Sequence, residues 1–321
     1  MPSPTPAPTS RTAVEIDSQP ACWQRAAELA PAHAAVLPRR GERVAVIGCG
    51  TSWFIAQAYA ALREQGGHGE TDAFAASEFP RRRAYDRVIA LTRSGTTSEV
   101  LDLLARLGAS TAATAITADP ATPVMKLAGN AVVLDFADEE SVVQTRFATT
   151  ALALLRAHLE TEGALPPGVR TVAQAALDAG RALAEPLPEG ALTAGQISFL
   201  GTGWTYGLAQ EAALKMREAA GAWTEAYPAM EYRHGPIAIT GPGRAVWTFG
   251  ALPAGLGADV TRVGGLLIAG SGADADRPAL DPMADLVRVH RLAVAAAEAD
   301  GRDPDRPRNL TRSVILGADL G

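Results

Sequence analysis

A chain of 321 residues that is 47% hydrophobic has the material to bury the cores of two α/β units, which excludes a disordered protein. Its formal net charge of −6 argues against a nucleic-acid partner, which would need a basic face. Its two cysteines, Cys22 and Cys49, have no metal-type spacing and no disulfide framework, so a reducing cytoplasm is the expected compartment and no metal is expected.

The N-terminal segment MPSPTPAPTSRT has no apolar h-region, and no run of about 18 apolar residues follows, so neither a leader nor a membrane span is expected. Residues 1–14 are expected to be disordered, their first ten being rich in Pro, Ser and Thr. An amphipathic helix over Pro20–Leu37 would bury Trp23, Ala27, Ala30 and Ala34. Arg43–Ile47 then reads as a buried parallel strand. Gly48-Cys49-Gly50-Thr51-Ser52 is a tight turn, and Trp53–Gln65 a helix. This strand–turn–helix order presents backbone N–H groups to an anion.

The pattern recurs. Asp86–Thr92 is a strand, Arg93–Ser98 a hydroxyl-rich turn and Glu99–Leu107 a helix. Thr111–Thr117 and Ala131–Phe136 add strands, and Glu139–His158 closes the unit as a long helix. Turns around a helix at Val169–Ala184 mark residues 161–190 as a connector. From Ile197 a second strand, a Gly201-Thr202-Gly203 turn and a helix echo the first unit, and Arg244–Phe249 adds a further strand. The expected fold is α/β: two tandem units over residues 15–160 and 191–321, each a parallel sheet flanked by helices in a flavodoxin-like three-layer sandwich. They would arise from a duplication of about 150 residues.

The glycine pattern alone says little. GCGTSWF lacks the third glycine of a dinucleotide loop, so no nicotinamide cofactor is expected. The hydroxyls say more. Thr51, Ser52, Ser94, Thr96, Thr97 and Ser98 come from two strand-to-helix turns that open at one edge of a parallel sheet, and they suit a phosphate monoester. The competing reading is N-capping, which needs one hydroxyl per helix.

The stretch Leu208–Pro236 carries the remaining chemistry. Ala212, Met216, Ala219, Ala220 and Trp223 recur at helical spacing and mark an apolar face. Glu211, Lys215 and Glu218 line a second face at i, i+4 and i+7. Such a ladder is more often a solvated, salt-bridged surface. Pro228 breaks the run, and EYRHGP follows as a turn bearing His234.

Taken together, GCGTS, TRSGTTSEV, EESVVQTRFATT, EAALKMREAAGAWTEAY, EYRHGP and DPDRPRNLTRSV resemble, in order, the double sugar isomerase (SIS) domain family. The likeness covers roughly residues 15–316 and is to the isomerase half of glucosamine-6-phosphate synthases and to SIS-type amino-sugar-phosphate deaminases. It implies a phosphorylated amino sugar as substrate and no cofactor. Thr51, Ser52, Ser94 and Thr97, with the backbone near Thr92 and Arg93, match the phosphate turns, and Gln144 lies in a further matching segment. Glu218 matches the general base acting at C1 and C2, and Lys215 and Glu211 its neighbours on the helix. His234 matches a ring-opening histidine supplied by the other subunit, which implies a homodimer with shared sites.

One position departs from the resemblance. Where the synthases carry a Schiff-base lysine in the tail, this chain has Arg312, and a guanidinium does not form such an imine. Arg312 is expected to stabilise an enolate instead. With the base kept and the covalent lysine gone, the expectation leans to elimination of water across C2–C3, as in a dehydratase. Isomerising deamination to fructose 6-phosphate and ammonia comes next, and a phosphosugar sensor without catalysis third.

Overall fold

The computed structural model describes residues 9–80, 82–108, 111–269 and 279–317. In the first half, β1 (Val44–Gly48) and β3 (Arg87–Leu91) are buried along their whole length. They pair with β2 (Thr71–Ala75), β4 (Ala112–Thr117) and β5 (Asn130–Val133) in the order β2-β1-β3-β4-β5, every neighbour parallel. In the second half β6 (Gln196–Gly201), β7 (Thr224–Pro228), β8 (Arg244–Phe249) and β9 (Leu266–Ala269) form a parallel sheet ordered β7-β6-β8-β9. The parallel α/β architecture is the one expected.

Side chains alternate across each strand, so both faces of the sheets need a cover. Val44 and Val46 face one continuous core, while Ala45 and Ile47 face a separate cluster beneath α4 (Ser98–Leu107). The continuous core joins the inner faces of both sheets through α2 (Gln19–His33), α3 (Thr51–Gln65), α6 (Arg146–Thr161), α7 (Val172–Ala184), α8 (Thr205–Ala220) and α10 (Pro282–Ala299). At its centre α3 and α8 lie nearly backbone to backbone. A Cβ on Gly207 would sit 2.5 Å from the Phe54 carbonyl oxygen, so only glycine permits this approach. Residues 161–190, expected as a connector, thus carry a helix that is part of the core.

Several boundaries move, each for a local reason. Arg11–Asp17 is a helix, α1, in place of the disorder expected through residue 14; residues 1–8 lie outside the described residues. Ser10 caps it, and the Asp305 carboxylate accepts from the Arg11 and Thr12 backbone N–H groups at 2.9 and 2.8 Å. The helix expected from Glu139 starts at Arg146 instead. Glu139 stands outside it and accepts from the N–H groups of Thr145 and Arg146 at 2.6 Å, satisfying donors that the first turn leaves free. The helix expected to reach Trp223 ends at Ala220, where Gly221 takes a left-handed φ of 63°. Trp223 is therefore not on its apolar face and is 74% exposed. Strands β2 and β7 and the short helices α5 (Val124–Leu127) and α9 (Leu256–Arg262) are additions to the expected set.

Candidate functional site

The first sheet reverses its strand order at β1, whose neighbours β2 and β3 leave it on opposite sides, and such a point opens a crevice at the carboxyl ends of the strands. Two turns meet there. After β1, Gly48 packs against the next helix, since a Cβ there would lie 2.6 Å from the Ser52 backbone. Gly50 then adopts φ 54°, so α3 begins at Thr51, directly above the strand. After β3, residues 92–97 lead into α4.

Between these turns lies a cavity of about 200 Å³. Thr51 and Ser52 line it from the first turn, and Thr92, Arg93, Ser94 and Thr97 from the second. Gln144 and Arg312 border it, and Glu218 enters from α8 in the other half of the chain. Residues from both sheets' units therefore meet in one cavity. The hydroxyls are not used as helix caps: the cap of α3 is Gly50, and Thr97 at the start of α4 makes no side-chain cap bond, whereas Thr171 forms a full capping box on α7. Thr92 Oγ1 is buried without a hydrogen-bond partner.

The Glu-Lys-Glu row is not a solvated face. Glu211 and Lys215 are buried, at 0% and 1% exposure, and Glu218 is one-fifth exposed at the cavity. Lys215 Nζ donates to Glu218 Oε2 and lies 3.9 Å from Glu211 Oε1. A cation buried between two carboxylates cannot lose either partner cheaply: breaking such a pair costs about 3–5 kcal/mol. His290, on α10, places Nε2 3.1 Å from Glu211 Oε2. Nothing in the sequence marked His290, a lone histidine in the apolar run LVRVHRLAV.

Two arginines that line the cavity bond to protein groups. The Arg93 guanidinium donates to the carbonyl oxygens of Ser141, Val142 and Arg312, each at 3.2 Å, and lies 3.4 Å from Glu139. It ties the turn to the loop before α6 and to the C-terminal segment. Arg312 donates to the Glu139 carbonyl and to Asp138 Oδ1 at 2.5 Å. Arg312 thus borders the cavity with its guanidinium bonded to an acidic loop, and the cation bonded to Glu218 is Lys215. The segment after Arg312 closes over the second turn: Ser313 Oγ lies 2.9 Å from Thr96 Oγ1, and the Ser98 N–H donates to the Val314 carbonyl at 3.1 Å.

His234 is exposed in a 3-10 turn, Glu231–His234, and is not among the residues lining the cavity. Cys49 does line it, but burial, with the Glu99 carboxylate adding to it, pushes the thiol pKa up and keeps it neutral. A larger cavity, about 740 Å³, opens beside the Thr202–Thr205 turn of the second sheet. Its carboxylate, Asp281, is locked to Arg156 at 2.7 Å, so the smaller cavity is the better candidate for chemistry. Among the described residues, no group of three or more His, Cys, Asp or Glu is placed to hold a metal, and no helix is long and apolar enough to cross a membrane.

No protein-family model matches the chain. A glutamine–fructose-6-phosphate aminotransferase [isomerizing] from Sulfurisphaera tokodaii is 27% identical over 303 residues, covering 87% of this chain and 51% of that protein. The chain thus spans about half the length of that relative. Among solved structures, a glucosamine-6-phosphate deaminase from Thermotoga maritima superposes with a TM-score of 0.81 at 21% identity, covering 96% of this chain and all of its own. A tagatose-6-phosphate ketose/aldose isomerase from Escherichia coli gives 0.78 at 21%, covering 97% and 99%.

Proposed function

We propose that this protein moves a proton at C2 of a phosphorylated amino sugar, with Glu218 as the base and the Thr51–Ser52 and Ser94–Thr97 turns holding the phosphate. The observation that carries this reading is that Glu218 and both hydroxyl turns line one cavity although they come from opposite halves of the chain. The names of the compared proteins, an aminotransferase, a deaminase and an isomerase of phosphorylated sugars, agree with it. A carboxylate in reach of a proton next to a carbonyl contributes roughly 10²–10⁴ in rate. Lys215, bonded to Glu218, is the cation next to the proposed base and would offer a donor to charge developing beside it.

The fate of the enolate depends on the groups at hand. Elimination across C2–C3 needs an acid at the departing 3-oxygen while the base still holds the C2 proton. Among the described residues lining the cavity, Glu218 is the one carboxylic acid, and no histidine joins it. Isomerisation needs only that Glu218 return its proton to C1. With a free 2-amine this gives a C2 imine; water adds there and ammonia leaves, yielding the ketose phosphate. Isomerising deamination is thus favoured over dehydration. The resemblance implies that ring opening falls to His234 of a second copy, and an exposed His234 outside the cavity of its own chain agrees with that.

The experiment is incubation with glucosamine 6-phosphate and with N-acetylglucosamine 6-phosphate. Ammonia release from the first, lost at least 100-fold in Glu218→Gln with binding kept, is the expected result. Loss of 18 mass units from the acetylated sugar would restore the dehydratase reading, and binding of both without change would favour a sensor. Full turnover by the Glu218→Gln variant would remove Glu218 from its role.

A further inference from the structure

A line of buried side chains runs from Glu211 away from the cavity. His290 Nδ1 lies 3.2 Å from Gln19 Nε2, the Gln19 Oε1 accepts from Thr149 Oγ1 at 2.7 Å, and Thr149 Oγ1 accepts from Trp23 Nε1 at 2.9 Å. Every member is at most 1% exposed. Four helices contribute: Gln19 and Trp23 from α2, Thr149 from α6, Glu211 from α8 and His290 from α10.

The direction of each bond is set by one fixed point. An indole N–H can only donate, so the Thr149 oxygen receives it. The Thr149 hydroxyl proton then goes to Gln19 Oε1, nearer at 2.7 Å than the Thr145 and Arg146 carbonyls at 3.2 and 3.3 Å. That leaves the Gln19 NH₂ facing His290 Nδ1, which must accept. The ring proton therefore sits on Nε2 and is donated to Glu211 Oε2, which accepts it.

We propose that His290 is a positioning residue: held as the Nε2–H tautomer, it fixes the Glu211 carboxyl and, through it, the place of the Lys215 side chain beside Glu218. Glu211 Oε1 has no hydrogen-bond partner of its own and lies 3.9 Å from Lys215 Nζ, so the bond His290 makes to Oε2 sets where Oε1 faces Lys215. The effect on catalysis rests on the reading of Glu218 as the base; the tautomer does not.

Both parts are tested on the full chain. In ¹⁵N-histidine-labelled protein at pH 7, with His290 assigned by its loss in His290→Gln, Nε2 is expected to be pyrrole-like and Nδ1 pyridine-like. A proton on Nδ1, or on both nitrogens, overturns the proposal, and this measurement needs no turnover. In the deamination assay His290→Leu is expected to lower kcat roughly 10–100-fold, as loss of a partner that orients a reacting group does, with KM changed less than about twofold. His290→Gln, whose amide can donate to Glu211 and accept from Gln19, is expected to recover most of kcat. Equal loss in both variants, or none in His290→Leu, overturns the positioning role. If the wild-type protein turns over neither sugar, the function reading fails while the tautomer result still stands or falls by itself.

Discussion

Ser94 Oγ accepts from the Thr96 N–H at 3.3 Å and from the Thr96 hydroxyl at 3.0 Å, and so keeps its own hydrogen free to donate into the cavity. A hydrogen bond to a charged group contributes about 1.5–3 kcal/mol. Ser94→Ala is therefore expected to weaken binding of a non-enolisable hexitol 6-phosphate roughly 10–150-fold in titration calorimetry. The loss should be smaller for the same hexitol without phosphate, and equal affinity for the phosphate ester in variant and wild type would remove Ser94 from the anion site. Residues at this scale are legible where type and spacing suffice: Thr51, Ser52, Ser94, Thr97 and Glu218 line one cavity, while Thr96, Ser98, Glu211 and Lys215 do not line it. Arg93 and Arg312 are less legible. A guanidinium goes where carbonyls and carboxylates are, and those come from the loop at residues 138–142, more than a hundred positions from Arg312.

Among the elements, α8 does the most to connect fold and site. It brings Glu211, Lys215 and Glu218 down one side and packs its Gly207 onto α3. The same crossing sets the height of Glu218 above turns that begin α3 and α4. Gly207→Ala places a Cβ 2.5 Å from the Phe54 carbonyl oxygen and 2.7 Å from the Ala58 nitrogen, backbone atoms that cannot rotate away. Alanine's better helix propensity returns at most about 1 kcal/mol. Overpacking of this kind costs typically about 1–3 kcal/mol, so a lower urea midpoint is expected, with kcat falling as well. A midpoint equal to or above the wild type would mean the crossing has room to spare. Strands β2 and β7 show what periodicity cannot reveal. TDAFA and TEAYP hold an acidic residue and few β-branched ones, so neither reads as a strand. Yet Val44 pairs with Thr71 and Ile197 with Thr224 in the same register, and the two segments share a Thr-acid-Ala-aromatic order, which is what a duplicated unit implies.

At the scale of the whole molecule, the two sheets share one core, and the cavity takes its hydroxyl-bearing turns from one unit and Glu218 from the other. The proposed third contribution, His234, would come from a second copy. Chains carrying Glu218→Gln and chains carrying His234→Ala should each be inactive alone. Mixed by co-refolding in equal amounts, they should regain roughly a quarter of wild-type activity, because random pairing makes half the dimers mixed and each mixed dimer holds one intact site. No recovery, with mixed dimers present by native mass spectrometry, would place the histidine's action elsewhere.

The parallel α/β class, the hydroxyl turns and the acid–lysine–acid ladder were all determined by the sequence, because strand hydrophobicity, turn chemistry and helical spacing are local properties that neighbouring residues carry among themselves. Whether that ladder faces water or the core, where the arginines spend their charge, and that His290 stands behind Glu211 were decided only by the tertiary structure. Each depends on burial and on partners far along the chain, and the desolvation that gives a buried charge its meaning does not exist until the helices have packed.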